Sequence, residues 1–332
     1  MLQALAGGNI LDHIFKFGDK GNNIDKEVMG NKGSNLIKLY QNGINVPDGF
    51  IISNALCRTF LESDDTVIQS KMKEIKKAIN QLEKSSNTKL GDPHQPLILS
   101  IRSGASVSMP GMLSTILNFG ITNETVEASK KMYLYESYIN FLDSFSKCVY
   151  HVDLELNGNF DKNINTYNDI IKKKKELFYD QMGMCFEDNV WRNLEKAIEA
   201  VCHSWNNHNA IAYRKIQNIP DGLGTAIIIQ EMKFGNFSAN SSGSGIVFTK
   251  NPLTGDDELY GEYLPGEQGE CLVSGLKNPK LIDLLKIENP SIYEQLVDQI
   301  QKIKSLFTKP QDIEFTYEND KLYILQTRDI KI

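Results

Sequence analysis

The sequence predicts an α+β protein on three observations: long stretches with apolar residues at helical spacing, a middle portion with few strand signals, and short β runs that dominate the last third. From Lys32, the residues Leu36, Ile37, Leu39 and Tyr40 recur at helical spacing until Gly43, a residue suited to the left-handed cap that ends a helix. Val46-Pro47 then turns the chain into a strand at 50–52, after which Ser53 can cap a second helix. A strand over 97–101 ends in Arg102-Ser103-Gly104-Ala105, where the backbone must leave its sheet, and strand ends of this kind are where α/β proteins place ligand contacts. Amphipathic helices follow between about 123 and 218, including 130–150, 167–182 and 189–202. Beyond them lie β runs at 225–233, 245–249, 258–263 and 271–274, helices near 279–285 and 291–307, and a closing strand pair at 312–317 and 321–327.

The 332 residues can bury a large core, as one large domain or as two to three lobes sharing a site. Apolar residues make up 41% and charged residues 23%, and no segment approaches the roughly 18 uninterrupted apolar residues of a membrane span. A net charge of −6 argues against a protein whose main task is to coat nucleic acid, which demands clustered Lys and Arg. The basic runs Lys71, Lys73, Lys76, Lys77 and Lys172 to Lys175 fall in helical stretches and are read as solvated helix faces. Cys57, Cys148, Cys185, Cys202 and Cys271 are scattered and odd in number, a usage that fits a reducing compartment and predicts neither a disulfide framework nor structural zinc. The first eight residues lack the basic region of a secretory leader, so a cytoplasmic location is expected.

Four constellations carry chemical potential. Gly30-Asn31-Lys32-Gly33-Ser34 stands just before a helix, where backbone N–H groups, the positive helix end and one ammonium can meet a phosphate; a plain flexible helix start reads the same way. The stretch 100–112 is dense in small and hydroxyl residues around Arg102, whose guanidinium fork suits phosphate oxygens, although such a stretch is also what a mobile surface loop looks like. The polar segment 235–245, placed between two strands, can let the backbone approach an anion or can be a simple hairpin connection, and Thr249 and Lys250 follow with a hydroxyl and a cation.

The fourth is the terminal hairpin. Asp312 and Glu314 share a strand face, as do Gln326 and Arg328, and a three-residue turn at Glu318-Asn319-Asp320 would set Asp312 opposite Gln326. Two carboxylates and an amide suit a hard Mg²⁺, with Arg328 placed for phosphates; a solvated hairpin face is the competing reading.

The segments GNKGSNLIKLYQNGINVPDGF, ILSIRSGASVSMPGMLSTILNFGI, SWNNHNAIAYRKIQNIPDGLGTA, QEMKFGN, GIVFTKNPLTG, ELYGEYL, QGECLVSG and DIEFTYENDKLYILQTR together resemble, in order, the amino-terminal region of the pyruvate phosphate dikinases. SVSMPGM favours this family over the related phosphoenolpyruvate synthases and glucan dikinases. The resemblance implies an ATP-grasp fold of two α/β lobes around an ATP cleft with a helical insert: a first lobe at 1–110 and 204–234, the insert at 111–203, and a second lobe at 235–332. It implies that Lys32 and Arg102 contact ATP phosphates, that Glu231, Met232 and Lys233 border adenine, and that Thr249 and Glu262 help fix the nucleotide. Asp312, Glu314 and Gln326 would hold Mg²⁺, Gln326 and Arg328 would complete the phosphate site, and Arg102 and Arg328 would serve catalysis.

In that family a carrier histidine attacks the β-phosphate of ATP, giving AMP; inorganic phosphate then releases pyrophosphate, and the phosphohistidine converts pyruvate to phosphoenolpyruvate. The resemblance therefore implies ATP, inorganic phosphate and a phosphohistidine carrier domain as partners. Two departures qualify it. Lys250 stands where the family has Arg, keeping the charge but losing the fork. None of His13, His94, His151, His203 and His208 lies in a context like the family's carrier site, and the chain stops shortly after Arg328, so the chain alone is not expected to make phosphoenolpyruvate. A non-catalytic nucleotide-binding or interaction module, and an ATP-grasp ligase with a small carboxylate acceptor, stay open as alternatives.

Overall fold

The computed structural model describes residues 13–19, 25–63, 66–156, 158, 160–275 and 277–330, so the reading of the first eight residues lies outside the described ones. The chain is α+β and separates into two compact units: described residues up to Gly33 with Asp48–Met232, and Ser34–Pro47 with those from Lys233 onward.

In the first unit β1 (Ile14–Lys16), β2 (Gly49–Ile52), β3 (Leu99–Gly104), β4 (Thr115–Phe119) and β5 (Ala226–Glu231) form one sheet in the order β1-β2-β5-β3-β4, every pair antiparallel. Ala226 to Ile229 of β5 are all fully buried, which is why this strand reads as an unbroken apolar run. The helices are α1 (Lys26–Gln41, beginning in this unit), α2 (Asn54–Glu62), α3 (Thr66–Ser86), α4 (Asn123–Ser129), α5 (Met132–Phe145), α6 (Ile164–Met182), α7 (Val190–Ser204) and α8 (His208–Gln217). Helices α2 and α7 lie against β5, joined there by Cys57 and Cys202, both buried; no disulfide is formed.

The helical portion packs on rings: Phe145, Phe178 and Phe186 meet with centroids 5.3 to 5.8 Å apart, edge to face. Three expectations change here. The stretch 130–150 is not one helix, because α5 gives way to a π-helical turn at Ser146–Tyr150. The run Lys172 to Lys175 is not uniformly solvated: a helix turns about 100° per residue, so four successive residues cannot share one face. Lys174 points inward, 2.6 Å from Asp143 Oδ1 and 2.7 Å from the Leu154 carbonyl. Strand β4 falls inside 111–203, the span expected to be a helical insert, and joins the sheet instead.

In the second unit β6 (Ser242–Phe248), β7 (Tyr260–Pro265), β8 (Lys280–Leu281), β9 (Gln311–Glu318) and β10 (Lys321–Asp329) form an antiparallel sheet in the order β10-β9-β6-β7-β8. With them are α9 (Glu270–Ser274), α10 (Ile282–Glu288) and α11 (Pro290–Leu306). Pro290 opens α11 in the first turn, where its missing N–H costs nothing, and Asn289 caps it by accepting the Ile292 N–H at 3.2 Å. The buried stripe Ile292, Leu296, Ile300 and Ile303 has the 3.6-residue period of a helix laid on a core. Residues 34–47 belong to this unit rather than to 1–110: Asn35 Nδ2 donates to the Thr327 carbonyl at 3.0 Å and Lys38 Nζ to the Leu306 carbonyl at 2.6 Å.

The span 271–274, read as a strand, is helical in α9, which ends at Gly275. Ser53 occupies the N-cap position of α2 but makes no side-chain cap bond; its hydroxyl lies 3.2 Å from His13 Nδ1. The segment 235–245 is only in part a loop, since Ser242-Gly243-Ser244-Gly245 is buried strand. A Cβ on Gly245 would lie 2.3 Å from the Phe315 ring, so the glycine lets the ring lie flat on β6. Gly245→Ala is expected to cost about 1–3 kcal/mol through overpacking, read as a lowered denaturant midpoint with an unchanged slope.

Candidate functional site

In the first unit the Gly-x-Lys-Gly turn and the Arg102 strand end come together. Gly30 (φ 71, ψ 163) breaks α1, so that Asn31-Lys32-Gly33-Ser34 opens a fresh helical segment with its own set of N-terminal N–H groups. The break is held by close approach: a Cβ on Gly30 would fall 1.7 Å from the Gly104 carbonyl oxygen, and the Asn31 N–H donates to the Ala105 carbonyl at 3.0 Å. Arg102, on β3 with only 9% exposure, donates through Nη2 to Gln230 Oε1, and the Gly104 N–H donates to Thr225 Oγ1 at 3.1 Å. The sequence left this proximity open, because Lys32 and Arg102 lie 70 positions apart in the chain.

At the end of β5, the Glu231 N–H is used by the Asp48 carbonyl and the Met232 N–H by the Ile98 carbonyl, both at 2.9 Å. The Met232 thioether accepts the Asn118 N–H at 3.0 Å. Lys233 lies in the second unit, its ammonium 5.1 Å from the Tyr323 ring centroid.

In the second unit the register of the sheet sets five of the expected residues on one face. Gln326, Glu314, Ile246 and Glu262 form one cross-strand row; Arg328, Asp312, Phe248 and Tyr260 form the next. The opposite face carries the buried Val247, Ile313, Phe315 and Ile324. The turn differs from expectation. It has two residues, Asn319 (φ 50) and Asp320 (φ 58), whose positive φ values suit a tight hairpin. That register alone would put Asp312 opposite Thr327 and turn Gln326 and Arg328 to the core side. A bulge between Ile324 and Gln326 restores the parity, so that Asp312 pairs with Arg328 and Glu314 with Gln326.

Arg328 Nη2 lies 2.6 Å from Asp312 Oδ2 and 3.5 Å from Glu314 Oε1, and Gln326 Nε2 donates to Glu314 Oε1 at 3.2 Å. Burial pushes the Asp312 carboxyl above the usual carboxylate range, against the pull of the Arg328 guanidinium, and the Glu314 charge adds to the rise. Asp312 Oδ1 is buried with no hydrogen-bond partner among the described residues. A buried carboxylate oxygen left unsatisfied is the position a cation would fill. No group of three or more His, Cys, Asp and Glu gathers among the described residues. Asp312, Glu314 and Gln326 offer oxygen donors of the kind Mg²⁺ takes, which binds through one or two carboxylates and completes its shell with water and phosphates.

Thr249 is buried, and its hydroxyl accepts the Gln311 N–H at 2.8 Å, a bond that ties the end of β6 to β9. Ser242 is likewise structural: its Oγ donates to the Gly235 carbonyl and accepts the Ser238 N–H, each at 2.8 Å. Lys250 is half-buried just past β6. Ile246 stands between Glu314 and Glu262 in their row, a placement set by cross-strand register that no local spacing reveals.

No described helix is long and apolar enough to cross a membrane. Residues 26–89 and 66–293 match the family described as pyruvate phosphate dikinase, AMP/ATP-binding domain. The chain is 35% identical over 336 residues to pyruvate, phosphate dikinase 1, chloroplastic, of Oryza sativa subsp. japonica, covering 95% of this chain and 35% of that protein. It is 37% identical over 338 residues to pyruvate, phosphate dikinase of Rickettsia felis, covering 95% and 38%, and 36% identical over 338 residues to that of Clostridium symbiosum, covering 96% and 38%. It thus spans 35 to 38% of the length of these relatives. With nearly its whole length matched, this chain belongs to the family of the pyruvate phosphate dikinase AMP/ATP-binding domain.

Proposed function

We propose that this chain, on an ATP-grasp fold, binds Mg·ATP and carries out the ATP- and phosphate-dependent half of the dikinase reaction, phosphorylating a histidine on a separate carrier domain. The observation that carries this reading is the Asp312, Glu314, Gln326 and Arg328 cluster with its unsatisfied buried oxygen. Asp312, Glu314 and Gln326 would hold Mg²⁺, which when bound neutralises phosphate charge. Arg328, Lys32 and Arg102 bind phosphate oxygens, Glu262 and Thr249 help fix the nucleotide, and Glu231, Met232 and Lys233 border adenine. Because the Glu231 and Met232 N–H groups are already used, those two residues meet the base through carbonyl oxygens or side-chain atoms.

In this reaction the histidine nitrogen forms a bond to the β-phosphorus while the bond from that phosphorus to the AMP oxygen breaks. Inorganic phosphate then takes the γ-phosphoryl group, leaving as pyrophosphate and a phosphohistidine behind. The nucleophile comes from elsewhere, so this chain's residues supply alignment and charge. A cytoplasmic setting belongs to the same proposal.

Mixing the chain with a separately produced phosphohistidine domain of a dikinase, Mg·ATP and phosphate tests the reading. AMP formation with label from β-³²P-ATP on the carrier histidine is expected. Release of ADP would point to a ligase-type acceptor instead, and calorimetric Mg·ATP binding with no label on the carrier would point to a binding module.

A further inference from the structure

The first unit buries a complete arginine that none of the roles above uses. Arg214 on α8 is 1% exposed, and Trp205, just after α7, is 2% exposed. The guanidinium carbon sits 4.3 Å from the Trp205 ring centroid, Nε donates to Asp221 Oδ1 at 2.8 Å, and Nη1 donates to the Trp205 carbonyl. The indole N–H closes the ring of contacts by donating to the Asp221 carbonyl at 2.8 Å. The set combines a charge-assisted bond to Asp221 with stacking on the Trp205 ring, a pairing suited to a planar guanidinium.

This node forms the floor of a small core of its own. Met109, Ala210 and Ile219 are buried with Trp205, and Ala105, Met112 and Leu113 pack against them. The stretch after Arg102, which reads in sequence as a mobile loop, is thus anchored by Met109 and Met112 in the core that contains Trp205. Ala105, within this stretch, is the residue whose carbonyl accepts the Asn31 N–H, next to the Gly30 and Gly104 backbone contact. A continuous path of packing therefore runs from Arg214 and Trp205 through Met109 and Ala105 to the turn that carries Lys32.

We propose that Trp205 and Arg214 are positioning residues that hold the 105–113 segment in place, and through it set the phosphate-binding turn at Gly30 to Lys32. The inference rests on the Mg·ATP reading above. In this proposal Trp205 acts through the core it shares with Met109 and Ala105.

The test uses the protein's two tryptophans, Trp191 and Trp205. In a Trp191→Phe background, Mg·ATP is titrated by calorimetry and by Trp205 emission on the same sample. Binding is expected to change Trp205 emission with the calorimetric midpoint. Met109→Ala and Arg214→Lys are expected to weaken Mg·ATP about tenfold, within the loss that misplacement remote from the chemistry can cause, and to abolish the emission change. Met109→Leu, which keeps the volume, is expected to restore both. Far-ultraviolet circular dichroism and melting select variants that remain folded, and Met109→Ala alone decides the matter if Arg214→Lys does not fold. Calorimetric binding with unchanged Trp205 emission, or an unaltered Mg·ATP affinity in folded Met109→Ala, overturns the positioning role while leaving the Mg·ATP reading intact. Absence of calorimetric binding by the parent protein overturns both.

Discussion

Asp312→Asn is expected to weaken Mg·ATP binding by at least about 100-fold while leaving the ligand-free protein as stable as the parent, or slightly more stable, near neutral pH. The binding loss follows from position: changes merely to residues around metal ligands cost roughly 10- to 100-fold, and Asp312 would be a ligand itself. The stability half follows from the direction of its pKa. Burial raises the Asp312 pKa in the folded state, so folding favours the protonated form. The ionised form then costs stability, a cost that is absent below the unfolded pKa and grows as pH rises through the folded one. Asparagine removes the charge and with it that cost. Arg328 is not stranded by the change, because its side chain is 39% exposed and Glu314 Oε1 remains at 3.5 Å. Calorimetric titration with Mg·ATP beside thermal melts of the ligand-free proteins reads both halves. Equal loss of binding and of melting temperature would mean that Asp312 serves the fold rather than the metal.

Gly30→Ala is expected to be the most destabilising single change near the site, on the order of 4 kcal/mol, from left-handed backbone strain of roughly 1–3 kcal/mol and overpacking of roughly 1–3 kcal/mol. The new methyl would stand 1.7 Å from the Gly104 carbonyl oxygen, and that oxygen belongs to a strand paired on both sides. A side chain at the contact could rotate away; the backbone of β3 cannot without giving up its bonds to β5. Chemical denaturation followed by tryptophan emission measures the loss, and a shift under about 1 kcal/mol would mean that the turn relaxes easily. Any folded fraction is expected to bind Mg·ATP poorly, because the helical segment that carries Lys32 begins at this residue.

Much of this was legible in the chain because it depends on local period. Alternation along β9 and β10 placed Asp312 with Glu314 and Gln326 with Arg328 on shared faces, and α11 followed from its spaced apolar residues. The pairing between those faces was not legible. A two-residue turn and a bulge each change parity, so a three-residue turn without a bulge reaches the same face by a different pairing. The strand at Thr115–Phe119 was missed because it borders a loop rich in small residues. The error at 271–274 arose because four apolar or small residues carry no period that separates strand from helix.

By itself the sequence determined the α+β class, the order of the motifs, the family, and the residue types that suit phosphate and Mg²⁺. The class and the residue types depend on composition and on neighbours within a few positions, the family on the resemblance of the motifs in their order. The tertiary structure alone decided that Gly30 meets Gly104, that one buried Asp312 oxygen has no partner among the described residues, that the Thr249 hydroxyl ties β6 to β9 while Ser242 holds the turn before β6, and that Met109 shares a core with Trp205. Each of these is a contact between residues distant in the chain or an accounting of a buried hydrogen bond, and a pattern of short period contains neither.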